Sequence, residues 1–197
     1  MKLLYTKRSP YARKVHILAI EKNLSLEFIE EDLAKKSAVL LKSNPMGKIP
    51  ALILDNGECL FDNPVICEYL DALNDTPVLI PRQGKERFEV LCLAAVGDGL
   101  MDTAIVLYME KTRHPEGFHQ VFVDNQQETL KNCLTFYENN ISRLKELSLA
   151  SIAAAVAVGY INFRLPHLNP PGQYKNLSAW FAEFSKRPSM VTTVPTA

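Results

Sequence analysis

Ser9-Pro10 sets a hydroxyl where a helix is expected to begin. Serine accepts a hydrogen bond from an early helical N–H, and proline suits the first helical position because it has no N–H to leave unpaired. Capping is one use of that hydroxyl. The other is chemical: a helix N-terminus favours negative charge, and a hydroxyl there can donate to a thiolate. A free thiol titrates near about 8.5, so such a setting would raise its ionised fraction at neutral pH. Nothing in the segment suggests a serine-protease triad, so Ser9 is not expected to be a nucleophile. Ile49-Pro50 is the second feature. A trans bond would simply open an edge strand, whereas a cis bond would turn the backbone of Ile49 towards a peptide-like ligand; spacing does not choose between them. The third is Asp62-Asn63-Pro64. It reads either as a plain helix cap or as a site for both charges of an α-amino acid, with free N–H groups and Asn63 for the carboxylate and Asp62 for the ammonium.

These residues need elements to hold them. Lys2 to Tyr5 reads as a short strand, and the helix after Ser9 runs to about Asn23 with Val15, Leu18 and Ala19 on one face. Leu26 to Ile29 alternates as a second strand, and Lys36 to Lys42 makes a short helix ended by Asn44-Pro45-Met46-Gly47. Residues 49–54 and 58–61 flank Asn56-Gly57, a hairpin signal in which both turn positions favour φ > 0. A helix then runs to about Leu73, with Val65, Ile66, Tyr69 and Leu70 inward. Beyond a proline-bearing linker the pattern is helical, over about 85–112, 118–144, 149–164 and 176–186. Ser148 caps the third of these with Leu147 and Ile152 as a hydrophobic staple, and Pro166, Pro170 and Pro171 stop it. Ser151 stands where a capping box usually has an acid or amide, which predicts a weaker cap.

Composition narrows the field. The 197 residues are 47% hydrophobic, enough for a substantial core. Lys plus Arg and Asp plus Glu are each 22, so there is no basic excess to favour nucleic acid. Lys7 and Arg8 break the first apolar run, and residues 149–161 are too short to cross a bilayer, so neither a signal peptide nor a membrane partner is expected. Cys59, Cys67, Cys92 and Cys133 form no CxxC, and His16, His114, His119 and His167 have no ligand spacing. Reduced cysteines, a cytoplasmic location and no metal are the expectation.

Taken in order, these stretches resemble the cytosolic glutathione transferase superfamily. The matching text is Ser9-Pro10-Tyr11-Ala12-Arg13-Lys14-Val15, residues 44–52, residues 55–70, Ser148-Leu149-Ala150-Ser151-Ile152-Ala153 and Arg187-Pro188-Ser189. The resemblance implies an α/β thioredoxin-like N-terminal domain over 1–75, a linker over 76–83 and an all-helical domain over 84–197. It implies that Ser9 is catalytic and donates to the glutathione thiolate, with Tyr5 as a second hydroxyl. Ile49, before a cis Pro50, would pair with the cysteinyl part of glutathione, Lys48 would contact a carboxylate, and Asp62 and Asn63 would hold the γ-glutamyl end. Met101, Ala104 and Tyr108 would line the pocket for a small hydrophobic electrophile. Glutathione enters as co-substrate, with no permanently bound cofactor, and a homodimer is expected by analogy. Two departures stand out: Asn63 where the family usually has serine, and Ser151 where it usually has aspartate. No cysteine lies near residue 9, against a mixed-disulfide mechanism. The implied activity is conjugation of the thiolate to electrophiles, or reduction of organic hydroperoxides. The rival is a non-catalytic binding, regulatory or stress protein on the same fold. A glutathione-dependent isomerase finds no support in the loop before the first helix.

Overall fold

In a computed structural model, residues 1–113, 117, 119–169 and 172–196 are described; His114, Pro170 and Pro171 lie outside them. The chain runs β1 (Lys2–Tyr5), α1 (Pro10–Glu21), β2 (Glu27–Glu30), α2 (Ala38–Ser43), β3 (Ala51–Ile53), β4 (Cys59–Leu60), α3 (Asn63–Ala72), α4 (Lys85–Arg113), α5 (Gln120–Asn139), α6 (Leu149–Arg164), α7 (Lys175–Phe184) and α8 (Pro188–Thr192). It divides into two compact units, Met1–Pro81 with Pro188–Ala197, and Arg82–Arg187.

The first unit is thioredoxin-like. Its sheet has the order β2-β1-β3-β4, with β2 parallel to β1 and the other neighbours antiparallel. Leu3 and Leu4 of β1, Ala51 and Leu52 of β3, and Ala12, Val15, Ile17 and Leu18 of α1 are buried. On α3 the buried apolar positions are Ile66, Cys67 and Leu70; Val65, expected inward, is 49% exposed because it falls outside that stripe. The hairpin turn is also longer than the expected two-residue turn. Only Gly57 has positive φ, and Asn56 instead accepts the Glu58 N–H on its side chain.

The boundaries differ from the sequence reading for two physical reasons. Residues 76–83 are not a free linker: Leu79 and Ile80 are buried, and both donate their N–H groups to the Asp71 carboxylate, at 2.9 and 3.1 Å. The fully buried Lys22 ammonium lies 3.0 Å from Asp71 and donates to the carbonyls of Asn74 and Pro77. The last segment belongs with the first unit, not the helical one. Arg13 donates to the Met190 carbonyl and to Thr193 Oγ1, and Ser189 Oγ donates to Glu21.

In the second unit α4 packs on α5 and α6. Gly97 is the close-approach position, since a Cβ there would come within 2.9 Å of the Ala153 backbone on α6. By length and composition α4 alone among the described helices could cross a bilayer, but it is a packed helix bearing Asp98 and Asp102. The cap of α6 is a complete box: Ser148 Oγ accepts the Ser151 N–H, and Ser151 Oγ accepts the Ser148 N–H at 2.9 Å. A serine hydroxyl thus closes the reciprocal pair that usually needs an acid. The helix expected over 118–144 stops at Asn139, where Asn140 takes the Phe136 and Tyr137 carbonyls and Ile141–Leu144 tighten into a 3-10 turn.

Replacing Lys22 with methionine removes the ammonium that lies against the buried Asp71 carboxylate. The expected loss is about 3–5 kcal/mol of stability, read by urea unfolding.

Candidate functional site

Strand register gathers the three chemical features. Leu4 of β1 lies opposite Ala51 of β3, so the chain leaving β1 towards Ser9 and the chain entering β3 through Ile49-Pro50 meet at one end of the sheet. Leu60 of β4 lies opposite Leu52, so β4 delivers Asp62 to that same end. The helices α1 and α3 both start there, with Ser9 and Asp62 as their N-caps.

Ser9 has extended backbone and accepts the Ala12 N–H on Oγ at 3.2 Å. That bond uses an acceptor lone pair and leaves the hydroxyl proton available to donate. The bland and the chemical reading of Ser9 are therefore compatible. The Ile49-Pro50 bond is cis. Ile49 packs in one apolar cluster with Leu4, Ala12, Leu40 and Ala51, which ties it to the residue that bonds Ser9. Asn44 shapes the approach: its side chain donates to the Lys48 carbonyl and accepts the Met46 N–H, and Gly47 takes a φ of +58°. The Lys48 side chain is exposed.

Asp62 is exposed, but Asn63 is only 3% exposed. Both the backbone N–H and the side-chain Nδ2 of Asn63 are turned onto the Asp62 carboxylate, and Asn63 Oδ1 is buried with no partner among the described residues. The open carboxylate-binding amide expected from the sequence is thus folded back on its neighbour, because an amide reaches the adjacent carboxylate.

A cavity of about 260 Å³ opens beside Ser9, lined also by Tyr5, Arg13, His16 and threonines of the α8 segment. Ile49, Asp62 and Asn63 are not in its walls. Tyr5 packs edge-on against Phe28, which also meets His16 with ring centroids 4.2 Å apart. Burial lowers the pKa of Arg13 to about 10 and pushes that of His16 below its ordinary 6.5. Arg13 and His16 were not singled out by sequence reasoning. The available signal was spacing, since Arg13 falls one helical turn after Ser9.

Comparison with known proteins identifies the family. The glutathione S-transferase N-terminal domain model matches residues 3–78. The Escherichia coli (strain K12) protein named "Uncharacterized GST-like protein YibF" is 36% identical over 168 residues, covering 83% of each chain. The chain belongs to the glutathione S-transferase family. A Pseudomonas fluorescens Pf-5 glutathione transferase family member, crystallised with bound glutathione, is 37% identical with a TM-score of 0.92, over 100% of this chain and 99% of that one. A structure of a family member from the same strain, with bound S-(propanoic acid)-glutathione, is 38% identical with a TM-score of 0.91 over the full length of both chains.

The residues expected to line an electrophile pocket of this glutathione S-transferase family member fare unequally. Met101 and Ala104 are completely buried and present no surface to a ligand. Both fall on the apolar stripe of α4, where periodicity cannot tell a core position from a pocket wall. Tyr108 is partly exposed and engaged by Arg164, whose guanidinium carbon lies 4.8 Å from the ring centre. Among the described residues no group of three or more His, Cys, Asp or Glu is arranged to hold a metal ion.

Because the unfolded chain protonates His16 first on acidification, the stability held by its neutral form is complete well above pH 6.5 and is lost as the pH falls through that value to the lower folded-state pKa. Thermal unfolding of His16→Gln against pH should show a shallower acid slope than wild type below pH 6.5.

Proposed function

We propose that the chain is a glutathione transferase whose Ser9 hydroxyl donates to the glutathione thiolate, and which adds that sulfur to a small electrophile. The observation that carries this reading is the convergence, at one end of the sheet, of the Ser9 cap, the cis Ile49-Pro50 bond and the exposed Asp62. The backbone of Ile49 is the group to pair with the cysteinyl part of the tripeptide, and the Asp62 carboxylate the group to meet its ammonium. With the thiol proton lost to solvent, the hydroxyl and the α1 N-terminus stabilise the anion left behind. Family members crystallised with glutathione and with S-(propanoic acid)-glutathione support glutathione as the co-substrate. Reduction of organic hydroperoxides by the same thiolate is a variant of this chemistry. By likeness to the family, the protein works as a cytoplasmic homodimer in detoxification or stress response.

One observation favours a second reading. The Asn63 backbone N–H and one of its two amide N–H groups are turned onto Asp62, which weakens the γ-glutamyl subsite and suits a family member that keeps the fold as a binding or regulatory protein. Calorimetry separates the two. The transferase reading expects wild type to bind glutathione with a Kd on the order of 1 mM or tighter, and Asn63→Ser to bind more tightly. Binding by Asn63→Ser alone, with none by wild type, would decide for the second reading.

A further inference from the structure

The start of α3 is unequal towards the two charges of an α-amino acid. Asp62 is exposed, so a full negative charge faces solvent there. The donors are mostly engaged within the fold. The Asn63 N–H and one N–H of its Nδ2 both turn onto Asp62 Oδ1, which leaves Oδ2 unused by either bond. Position 64 is proline and has no N–H, and the Ile66 N–H bonds the Asp62 carbonyl at 3.0 Å. Val65 alone brings a first-turn N–H that none of these bonds takes. The Asn63 amide does not exchange its ends freely, because the opposite orientation would set its oxygen against a carboxylate. The orientation that bonds Asp62 is held although it buries Asn63 Oδ1 with no partner among the described residues. An unpaired buried acceptor costs stability, so the bond to Asp62 is what keeps the amide in place. Asn63 is 3% exposed, so its second amide N–H has almost no surface through which to reach a carboxylate.

We propose that this subsite reads the ammonium of its ligand and not the carboxylate beside it, with Asn63 as the residue that sets the preference. The proposal rests on the transferase reading and specifies which thiols that reading admits. Asp62 Oδ2 accepts the ammonium in a charge-assisted bond. The carboxylate meets only one backbone N–H and the weak positive end of α3. The ligand class is a cysteinyl thiol acylated by an amino acid with the length of the γ-glutamyl arm and a terminal amine, with or without a carboxylate beside that amine. Glutathione is one member of the class. A serine at position 63 would differ, since a rotating hydroxyl replaces an amide fixed on Asp62 and supplies a donor for the carboxylate.

The test is calorimetry under reducing conditions at pH 7 with three thiols. They are glutathione, 4-aminobutanoyl-Cys-Gly, which lacks the α-carboxylate, and glutaryl-Cys-Gly, which lacks the α-amine. In wild type, loss of the carboxylate should weaken binding by less than about threefold, and loss of the amine by at least about tenfold. In Asn63→Ser, loss of the carboxylate should weaken binding by at least about tenfold, because the hydroxyl now holds it. Asn63→Ala, which gives room but no donor, should keep the wild-type pattern. A wild type that weakens by about threefold or more without the carboxylate, or by less than about tenfold without the amine, overturns the proposal with no variant needed. Folded Asn63→Ser that keeps the wild-type pattern also overturns it, since the preference then does not come from Asn63. Failure of wild type to bind any of the three thiols is the separate failure of the transferase reading, and the proposal falls with it.

Discussion

The antiparallel pairing of β3 against β1, with Leu4 opposite Ala51, decides where each chemical group of the first unit lies. A strand repeats every two residues, so a slip of one would exchange the sheet faces that Ala51 and Leu52 occupy and carry Ile49-Pro50 away from the loop that leads to Ser9. The register is held by apolar burial, since Leu3, Leu4, Ala51 and Leu52 are all completely buried. β4 inherits its place from β3, and α3 starts where β4 lets the chain go. A hydroxyl, a cis peptide and a carboxylate, each unremarkable alone, become neighbours through one strand pairing.

Electrostatics then acts on that placement. Ser9 and Asp62 cap two helices whose first N–H groups carry partial positive charge, the setting in which a thiolate or carboxylate is stabilised. The buried Lys22–Asp71 pair does different work. It ties the end of α1 to the end of α3 and to the segment that follows, at the far ends of the helices whose starts hold the candidate site. Arg13, one turn along α1 from Ser9, donates to the Met190 carbonyl and to Thr193 Oγ1 and so fastens the α8 segment beside the site.

Much of this was legible in the sequence because local rules and tertiary packing agree there. Ser9-Pro10 and Asp62-Asn63-Pro64 start helices for the reasons their side chains give, and the strand and helix order of the first unit is the one expected. What failed to show depends on distant partners. Residues 188–193 read as the tail of the helical domain until Arg13 and Glu21 are seen to hold them. Met101 and Ala104 have the right type and spacing for a pocket wall, yet periodicity marks a face and not what covers it. The sequence leaves Asn63 open between a plain helix start and a carboxylate donor, because the fold of its amide back onto the adjacent Asp62 is a rotamer choice that residue type does not fix. The cis geometry of Ile49-Pro50 was open on spacing alone, because the same dipeptide serves either isomer.

The central claim is that Ser9 stabilises the glutathione thiolate, and ultraviolet titration of the bound thiol tests it most directly. Absorbance near 240 nm, where the thiolate absorbs, would be followed against pH for glutathione saturating wild type and Ser9→Ala. The account predicts a bound-thiol pKa well below the free value of about 8.5 in wild type, returning towards it in Ser9→Ala while glutathione still binds. An unshifted pKa in wild type, or a shift that survives Ser9→Ala undiminished, would contradict it.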